Sequence, residues 1–349
     1  MKYKFFRVSE EAWRAMFEAI RNAKESIYLE SFILTDDAVT HHFFETLKQK
    51  ARDGVKVKLI VDRVGHFWYG SVNQEEFEKA GVEVLFFNRW FYRSHRKILI
   101  VDRSVAFLGG VNIRGEYAKW LDLHVRLTGL LVKQLLNSFG RVYALAGGQD
   151  PAVLAFRKSA KVPKPRETLY KAKSWLIERW PIKGKSLLRE YYQKKCGQAK
   201  KSIIIVTPYF IPHAWLLKSL SKAARRGVKV EVLIPASTDV WFANEAHRIL
   251  APLYADFISF YFLSEMNHAK VLLIDEHEGM VGSNNIDAQS FDFNLEASII
   301  FQRRDMVGDL KIILEKWKLS AAPFAIERHN YKWYDGIIRF LVHLFQPIL

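Results

Sequence analysis

The strongest constraint on the fold of this chain is that one part of it repeats another. AKESIYLESF begins at residue 23, and AKKSIIIVTP, with the same small-basic-x-Ser-Ile start, begins at residue 199. GVKVKLIVD at Gly54 returns as GVKVEVLIP at Gly227, 173 residues later, and this offset holds without a gap to Asn112 and Asn285. The period is far too long for a solenoid, so we predict a duplicated domain.

Each copy has the pattern of a strand, a helix and a second strand. An apolar run is followed by a helical stretch that ends at a glycine suited to a C-cap, and then by a short β-branched run typical of a buried parallel strand. We therefore predict an α/β protein of two tandem α-β-α sandwich halves. A pseudo-twofold axis would relate the halves, and each would contain a central mixed, largely parallel sheet.

The repeat and the local composition also predict the boundaries of the parts. We assign residues 1–150 to the first half and residues 187–326 to the second. Residues 151–186 are rich in Lys and Arg with two prolines near the middle, which favours a basic surface connection. Residues 327–349 form an amphipathic tail.

The repeat contains the pattern HxKxxxxD twice, as SHRKILIVD (94–102) and NHAKVLLID (267–275). Its six residues are the catalytic candidates: His95, Lys97, Asp102, His268, Lys270 and Asp275. On a strand, residues i and i+2 point to the same face, so each histidine projects together with its lysine. The odd spacing places each aspartate on the opposite face or beyond the strand end, where a structural role is expected.

Small-residue turns follow both patterns, and a carboxylate follows each turn. GGVN (109–112) and GSNN (282–285) predict phosphate contacts by Asn112, Asn285 and Ser283. Asp122 comes 27 residues after His95, and Glu296 comes 28 residues after His268. We expect each carboxylate to orient the histidine of its own half.

This set of residues suits phosphoryl transfer without a metal ion or cofactor. One histidine attacks phosphorus, the other protonates the leaving oxygen, and the lysines neutralise the non-bridging oxygens. One half alone would lack either the nucleophile or the acid. Few acids remain to hold a metal, and the single Cys196 excludes a disulfide within the chain.

The net charge of +16 indicates an anionic partner, either a phospholipid membrane or nucleic acid. The first twenty residues lack the apolar core of a signal peptide, and no stretch reaches the ~20 apolar residues of a membrane-spanning helix. The tail WYDGIIRFLVHLFQPIL fits an interfacial helix, although residues 337–345 could instead dock on the core. Residues 239–254 could line an acyl passage or form a buried helix.

The paired patterns resemble those of the phospholipase D superfamily over about residues 13–302. TPYFIP (207–212), AARRGVKVEVLIP (223–235) and the two motif regions narrow the resemblance to bacterial cardiolipin synthases of the short, peripheral class. The resemblance implies a phosphatidyltransferase that forms a phosphohistidine. Phosphatidylglycerol would be the donor, and phosphatidylglycerol or phosphatidylethanolamine the acceptor. His95 would be the nucleophile and His268 the acid and base, with the reverse assignment open.

The resemblance carries further expectations and leaves alternatives. Glu30 matches an acidic position near the family's site, whereas Gln289-Ser290 stands where the family commonly has Arg-Ser, which affects headgroup specificity. The protein would be peripheral, on the cytoplasmic face of a bacterial inner membrane, with or without an accessory protein. The alternatives are a phospholipid hydrolase, a nuclease acting on nucleic acid, and a non-catalytic lipid-binding scaffold.

Overall fold

The computed structural model describes residues 1–70, 72–89, 92–157, 173–180, 186–325 and 333–336. Most of the basic connection between 158 and 185, and nearly all of the predicted tail, lie outside these ranges. None of the helices within the described ranges is both long and apolar enough to cross a bilayer.

The first half alternates strands and helices around one sheet. Its strands are β1 (Tyr3–Val8), β2 (Ser26–Ser31), β3 (Lys56–Asp62), β4 (Glu83–Phe87), β5 (Ile98–Val101), β6 (Val105–Gly109) and β7 (Leu121–Thr128). Its helices are α1 (Ser9–Arg21), α2 (His41–Arg52), α3 (Arg63–Tyr69), α4 (Gln74–Lys79), α5 (Leu130–Leu145) and α6 (Pro151–Leu154), with short 3-10 turns at Gly115–Tyr117 and Ala155–Arg157.

The second half repeats this order. Its strands are β8 (Ser174–Arg179), β9 (Ser202–Val206), β10 (Lys229–Pro235), β11 (Ser259–Leu263), β12 (Val271–Ile274), β13 (Glu278–Gly282), β14 (Glu296–Phe301) and β15 (Ala321–Pro323). Its helices are α7 (Leu187–Gln198), α8 (Ala214–Arg225), α9 (Trp241–Tyr254) and α10 (Arg304–Leu319), with a π-helical turn at Gln289–Phe293.

The two sheets have the same strand order, which confirms the predicted pair of α/β halves with mixed sheets. The first runs β1-β7-β6-β5-β2-β3-β4, and the second runs β8-β14-β13-β12-β9-β10-β11, with β15 added at the edge. The expectation that the sheets are largely parallel is wrong. Only β2-β3-β4 and β9-β10-β11 are parallel, and the other neighbouring strands pair antiparallel, because no crossover helix lies between β5 and β7 or between β12 and β14.

The stretch predicted as a connection contains the first strand of the second sheet. β8 pairs antiparallel with β14, from Ser174 beside Phe301 to Arg179 beside Glu296. It occupies the place that β1 has beside β7, so the second sheet begins at residue 174 rather than 187. The repeat could not reveal this strand, because the similarity between the copies begins only at residue 199.

The halves share one apolar core where their sheets face each other. The strands β6 and β7 pack near β13 and β14, and α5 and α10 close the same core. The outer face of the first sheet is covered by α1, α2 and α4, and that of the second by α7 and α8. Each half is therefore an α-β-α sandwich, as predicted, and the segments before β5 and β12 and those after β6 and β13 meet between the halves.

The part of the tail that is described lies against α9. Asp335 is joined to Arg248 by an ion pair, with Nη1 2.9 Å from Oδ2, and the Tyr334 ring lies 5.8 Å from the Arg248 guanidinium carbon. Tyr334 also packs on the apolar cluster of Ile249 and Leu250. The residues 337–345, for which docking or membrane contact was predicted, lie outside the described ranges.

Both motif aspartates hold a turn to the start of a strand, as their odd spacing predicts. Asp102 begins the turn between β5 and β6 with a φ of 47°, and Asp275 begins the equivalent turn with a φ of 52°. The Asp102 carboxylate accepts the backbone N–H groups of Lys24, Glu25 and Ser26 at 2.7 to 3.1 Å. Asp275 accepts three equivalent N–H groups at the start of β9.

We expect Asp102→Ala to lower the free energy of unfolding by about 1–3 kcal/mol, because three N–H groups lose a charged acceptor. Burial opposes ionisation of Asp102, but the N–H groups of Ser26, Glu25 and Lys24 lower its pKa below the usual value. Its stabilisation is therefore full above the unfolded pKa of about 4 and is lost as the pH falls through the lower folded pKa.

Urea unfolding at pH 7 and at acid pH measures this effect. Replacement of the exposed Asp256 by alanine is the matched control and should change stability little. Equal losses for the two variants at pH 7 would contradict the structural role of Asp102.

Candidate active site

A cavity of about 350 Å³ lies where the two halves meet. Both motif histidines line it, His95 from the first half and His268 from the second, with Asn112 and Asn285 beside them. His95 is 8% exposed and His268 is 5% exposed. The structure thus brings the two HxK segments to one site, as their shared register predicts.

Backbone bridges between the halves hold the two segments in place. Ser94 pairs in parallel with Leu295, and Leu121 pairs in parallel with Asn267. The His95 N–H donates to the Leu295 carbonyl at 3.1 Å, and the His268 N–H donates to the Leu121 carbonyl at 2.7 Å. Each HxK segment therefore runs beside the start of the carboxylate-bearing strand of the other half.

Each histidine is paired with the carboxylate of the opposite half. His95 Nδ1 lies 3.1 Å from Glu296 Oε1, and His268 Nδ1 lies 3.0 Å from Asp122 Oδ2. The prediction that each carboxylate orients the histidine of its own half is therefore wrong. The backbone bridges instead place each histidine beside the carboxylate-bearing strand of the other half. With Nδ1 held by a carboxylate, Nε2 of each ring is left for the cavity side.

The crossed arrangement of the two halves requires a glycine at position 110. A Cβ atom at Gly110 would collide with the Asp122 carboxylate and with the backbone carbonyl of His268. The small residues of GGVN thus permit the close approach of the other half, in addition to any contact with a ligand.

The two motif lysines are buried directly behind their histidines. Lys97 Nζ donates to the His95 carbonyl at 2.6 Å, and Lys270 Nζ donates to the His268 carbonyl at 2.5 Å. Burial, and then the charge of Lys270, hold the pKa of Lys97 well below its usual value. Burial lowers the pKa of Lys270 to about 7. An anion placed beside these lysines would raise both pKa values.

The two histidine rings are biased toward the neutral form. Burial and the nearby lysines lower the pKa of His95 well below its ordinary value, and burial and Lys270 lower that of His268. A neutral imidazole has a free lone pair on Nε2, which is the form that attacks phosphorus. A bound phosphate diester would favour the protonated form of the second ring, which is the form that serves as an acid.

Two serines hold Glu296 in place. Ser283 Oγ donates to Glu296 Oε2, and Ser290 Oγ donates to Glu296 Oε1 at 2.9 Å. Burial raises the pKa of Glu296 to about 7. The prediction that Ser283 contacts phosphate is not supported by this geometry, since its hydroxyl is used by Glu296 and it does not line the cavity.

The asparagines lie where the sequence predicts contact with a ligand. Asn112 is 4% exposed and Asn285 is 5% exposed, and both line the cavity. Within the described residues, the Oδ1 atoms of both side chains are buried and have no hydrogen-bond partner. Buried polar atoms without partners are costly, so a ligand group that donates a hydrogen bond to these oxygens, such as a hydroxyl, would remove that cost.

Three other predicted residues lie outside the cavity. Asp102 and Asp275 do not line it and hold their turns, as described above. Glu30 is fully buried behind His95, where it accepts a hydrogen bond from Ser94 Oγ and lies 3.3 Å from Arg96. Burial raises the pKa of Glu30. Its contacts support the backbone on either side of His95 rather than a ligand.

Several residues that line the cavity were not predicted as site residues: Phe32, Arg93, Trp120, Tyr209, Asp239 and Asp287. Two of them are close in sequence to predicted site residues. Arg93 lies two residues before His95, and Asp287 lies two residues after Asn285, although neither pair lies on a strand. The remaining residues come from other loops, and only packing of the halves brings them here. Arg93 Nη1 donates across the halves to Gln289 Oε1 at 3.4 Å.

Within the described ranges, no group of three or more His, Cys, Asp or Glu side chains is arranged to hold a metal ion. The cationic groups near the histidines are instead the side chains of Lys97, Lys270 and Arg93. Ammonium and guanidinium groups can neutralise the charge of a phosphate group.

Two HxKxxxxD segments that share one site across a duplicated sheet define a protein of the phospholipase D class. A family model described as "Cardiolipin synthase, PLD-like domain" matches residues 16–124 and 193–317, and the chain belongs to that family.

Individual proteins agree with this assignment. The chain is 29% identical over 333 residues to the probable cardiolipin synthase YwiE of Bacillus subtilis, covering 90% of this chain and 65% of that protein. It is 30% identical over 363 residues to cardiolipin synthase 2 of Bacillus anthracis, covering 97% of this chain and 69% of that protein. The chain thus spans about two thirds of the length of these relatives.

The crystal structure of phosphatidylserine synthase from Haemophilus influenzae has the same fold. It superposes with a TM-score of 0.75 at 15% identity, covering 99% of this chain and 95% of that one.

The crossed pairing predicts which imidazole each carboxylate variant perturbs. In Glu296→Gln the ring nitrogen shifts of His95 should change more than those of His268, because His95 loses its charged partner. Asp122→Asn should have the opposite effect. ¹⁵N NMR of the imidazole rings measures both, with His95→Gln and His268→Gln used to assign the signals. A larger change at His268 than at His95 in Glu296→Gln would contradict the pairing.

The lowered lysine pKa values predict that anion binding weakens as the pH rises. Tungstate, which stays a dianion, should lose affinity above pH 7 by up to about tenfold per pH unit, since Lys270 must take up a proton to bind it. Titration calorimetry in buffers of different ionisation enthalpy should detect this proton uptake at pH 8. Lys270→Arg, whose guanidinium stays charged, should reduce the pH dependence. An affinity that is constant from pH 6 to pH 9 would contradict the prediction.

Proposed function

We propose that this protein is a cardiolipin synthase, a phosphatidyltransferase that joins two phospholipids through one phosphodiester exchange. The observation that carries the proposal is the pair of crossed histidine–carboxylate contacts around a single cavity, with two buried lysines behind the histidines. The similarity to bacterial cardiolipin synthases supports the choice of lipid substrates.

In the first step, Nε2 of His95 attacks the phosphorus of phosphatidylglycerol. The new P–N bond forms as the P–O bond to the headgroup glycerol breaks, and the leaving oxygen takes a proton from the His268 imidazolium. Glycerol leaves, and the phosphatidyl group remains on His95 as a phosphohistidine. Glu296 holds the ring of His95 and stabilises the charge that it gains.

In the second step, neutral His268 removes a proton from the headgroup hydroxyl of a second phospholipid. The hydroxyl oxygen attacks phosphorus, the P–N bond breaks, and His95 is regenerated. Phosphatidylglycerol as acceptor yields cardiolipin directly, whereas phosphatidylethanolamine, whose headgroup ends in an amine and has no hydroxyl, cannot act as the acceptor in this step. Burial lowers the pKa of both rings, so either can be neutral, and the resemblance to the superfamily favours His95 as the nucleophile.

The remaining residues of the site stabilise charge and position groups. Lys97, Lys270 and the amides of Asn112 and Asn285 would neutralise and bind the non-bridging oxygens, whose negative charge grows as the nucleophile adds. These steps need neither a metal ion nor an organic cofactor, because the lysines supply the positive charge. Asp102, Asp275, Ser283 and Glu30 act only through the backbone or through other side chains.

We further propose that the protein works as a peripheral enzyme on an anionic membrane, at the cytoplasmic face of a bacterial inner membrane. The net charge of +16 supports attraction to such a surface. Phosphatidylglycerol would then be both the attracting lipid and the donor.

A lipid assay tests this function. Purified protein with vesicles of phosphatidylglycerol should form cardiolipin and release glycerol in equal amounts. His95→Ala and His268→Ala should each lower the rate at least about 10³-fold, since one removes the nucleophile and the other the acid. Product analysis by mass spectrometry measures the outcome, and Asp256→Ala serves as a variant with full activity.

The products distinguish the alternatives. Phosphatidic acid without cardiolipin would identify a hydrolase, and degradation of DNA without a lipid product would identify a nuclease. Turnover that survives in either histidine variant would contradict the two-histidine mechanism.

A further inference from the structure

Four large apolar side chains are exposed near the mouth of the cavity, and we call them the aromatic rim. Phe67 is 77% exposed and Trp68 is 69% exposed on α3, and Val240 is 42% exposed and Trp241 is 64% exposed where α9 begins. Trp68 and Val240 line the cavity itself, so the rim is continuous with the site. The rings of Phe67 and Trp68 contact each other edge to face, with their centroids 5.4 Å apart.

The two parts of the rim occupy equivalent positions in the two halves. α3 follows β3 and α9 follows β10, and these strands have the same place in the two sheets. Each strand is parallel to its helix-connected neighbour, so the segments that follow them emerge at the carboxyl edge of the sheet. The pseudo-symmetry thus places an exposed apolar segment on each side of one opening.

The cavity wall continues the apolar character of the rim inward. Phe32, Ile33, Ile211 and Phe242 also line the cavity, and the ring centroids of Phe32 and His95 are 4.9 Å apart. The cavity therefore has an apolar wall next to its histidines and asparagines. Such a lining suits a molecule with both hydrocarbon and phosphate parts.

Basic side chains accompany the apolar ones. Arg63 is exposed on α3, four residues before Phe67 and so on the same face of that helix. Lys119 is exposed next to Trp120, which lines the cavity. Exposed Trp and Phe beside Arg and Lys are the combination that favours the headgroup region of an anionic bilayer over water.

We propose that the aromatic rim inserts into the surface of an anionic phospholipid bilayer and seats the cavity mouth on the lipid headgroups. A phospholipid would then reach His95 and His268 while its acyl chains pass from the bilayer onto the apolar wall. The proposed bilayer contact is inferred from the exposed side chains alone. The further step, that this contact delivers a phospholipid to the histidines, rests on the proposed function.

The test uses two rim residues that do not line the cavity. In the double variant Phe67→Ser, Trp241→Ser, the partition onto phosphatidylglycerol-containing vesicles should weaken roughly tenfold or more, because two side chains no longer leave water. Cosedimentation measures the partition. Leu319→Ser is the matched control, since Leu319 is 87% exposed at the end of α10 and lies outside the cavity lining. The melting temperatures of both variants should equal that of the unchanged protein.

Activity on two forms of one lipid separates delivery from chemistry. The double variant should lose turnover on vesicles but keep it on dihexanoyl-phosphatidylglycerol below its micelle concentration, where no bilayer is involved. If the unchanged protein turned over neither form of the lipid and still bound vesicles through the rim, that result would overturn the proposed function but would support the bilayer contact of the aromatic rim.

Other outcomes would overturn the rim. Equal vesicle binding by the double variant and the unchanged protein would contradict insertion of the rim. Complete release of both proteins from the vesicles by high salt would also contradict it, because the binding would then depend on charge alone. A dimer of the unchanged protein in sedimentation velocity that becomes a monomer in the double variant, with vesicle binding unaffected, would assign the rim to a second copy of the chain instead.

Discussion

The site depends on the contact that each histidine makes with a carboxylate of the opposite half. His95 with Glu296 and His268 with Asp122 are buried, and the backbone bridges beside them join the two sheets at the same place. Separation of the halves would leave four ionisable side chains without their partners and would expose the shared apolar core. The interface that assembles the site is therefore also part of what holds the two halves together.

The electrostatics of the site follow from this burial. Burial lowers the pKa values of Lys97 and Lys270, and the positive charge of Lys270 lowers that of Lys97 further, while Glu296 and Asp122 supply compensating negative charge. A phosphate diester brings the charge that this group of residues lacks. The amides of Asn112 and Asn285 line the same cavity, and their NH2 groups can donate to phosphate oxygens. Ligand binding and protonation of the site are thus linked.

The halves share a frame but differ in what they add to the cavity. Glu296 is held by Ser283 and Ser290, whereas the position that corresponds to Ser283 in the first half is Gly110, which has no side chain to hold Asp122. The second half contributes Asp239 and Asp287 to the lining, and the first contributes Arg93. These differences make the surroundings of the two histidines chemically unequal, as a mechanism with one nucleophile and one acid requires.

Local pattern and repeat register determined the two α/β halves, the equivalence of His268 and Lys270 to His95 and Lys97, and the structural place of Asp102. Those features depend on periodicities of two residues along a strand and on one constant offset, which are properties of the chain itself. Only the tertiary structure decided the direction of the later strands, the presence of β8, the role of Ser283 and the partners of Asp122 and Glu296. An offset states which residues are equivalent, but it carries no information on which copy a residue touches, because contacts between halves arise from how the two sheets pack.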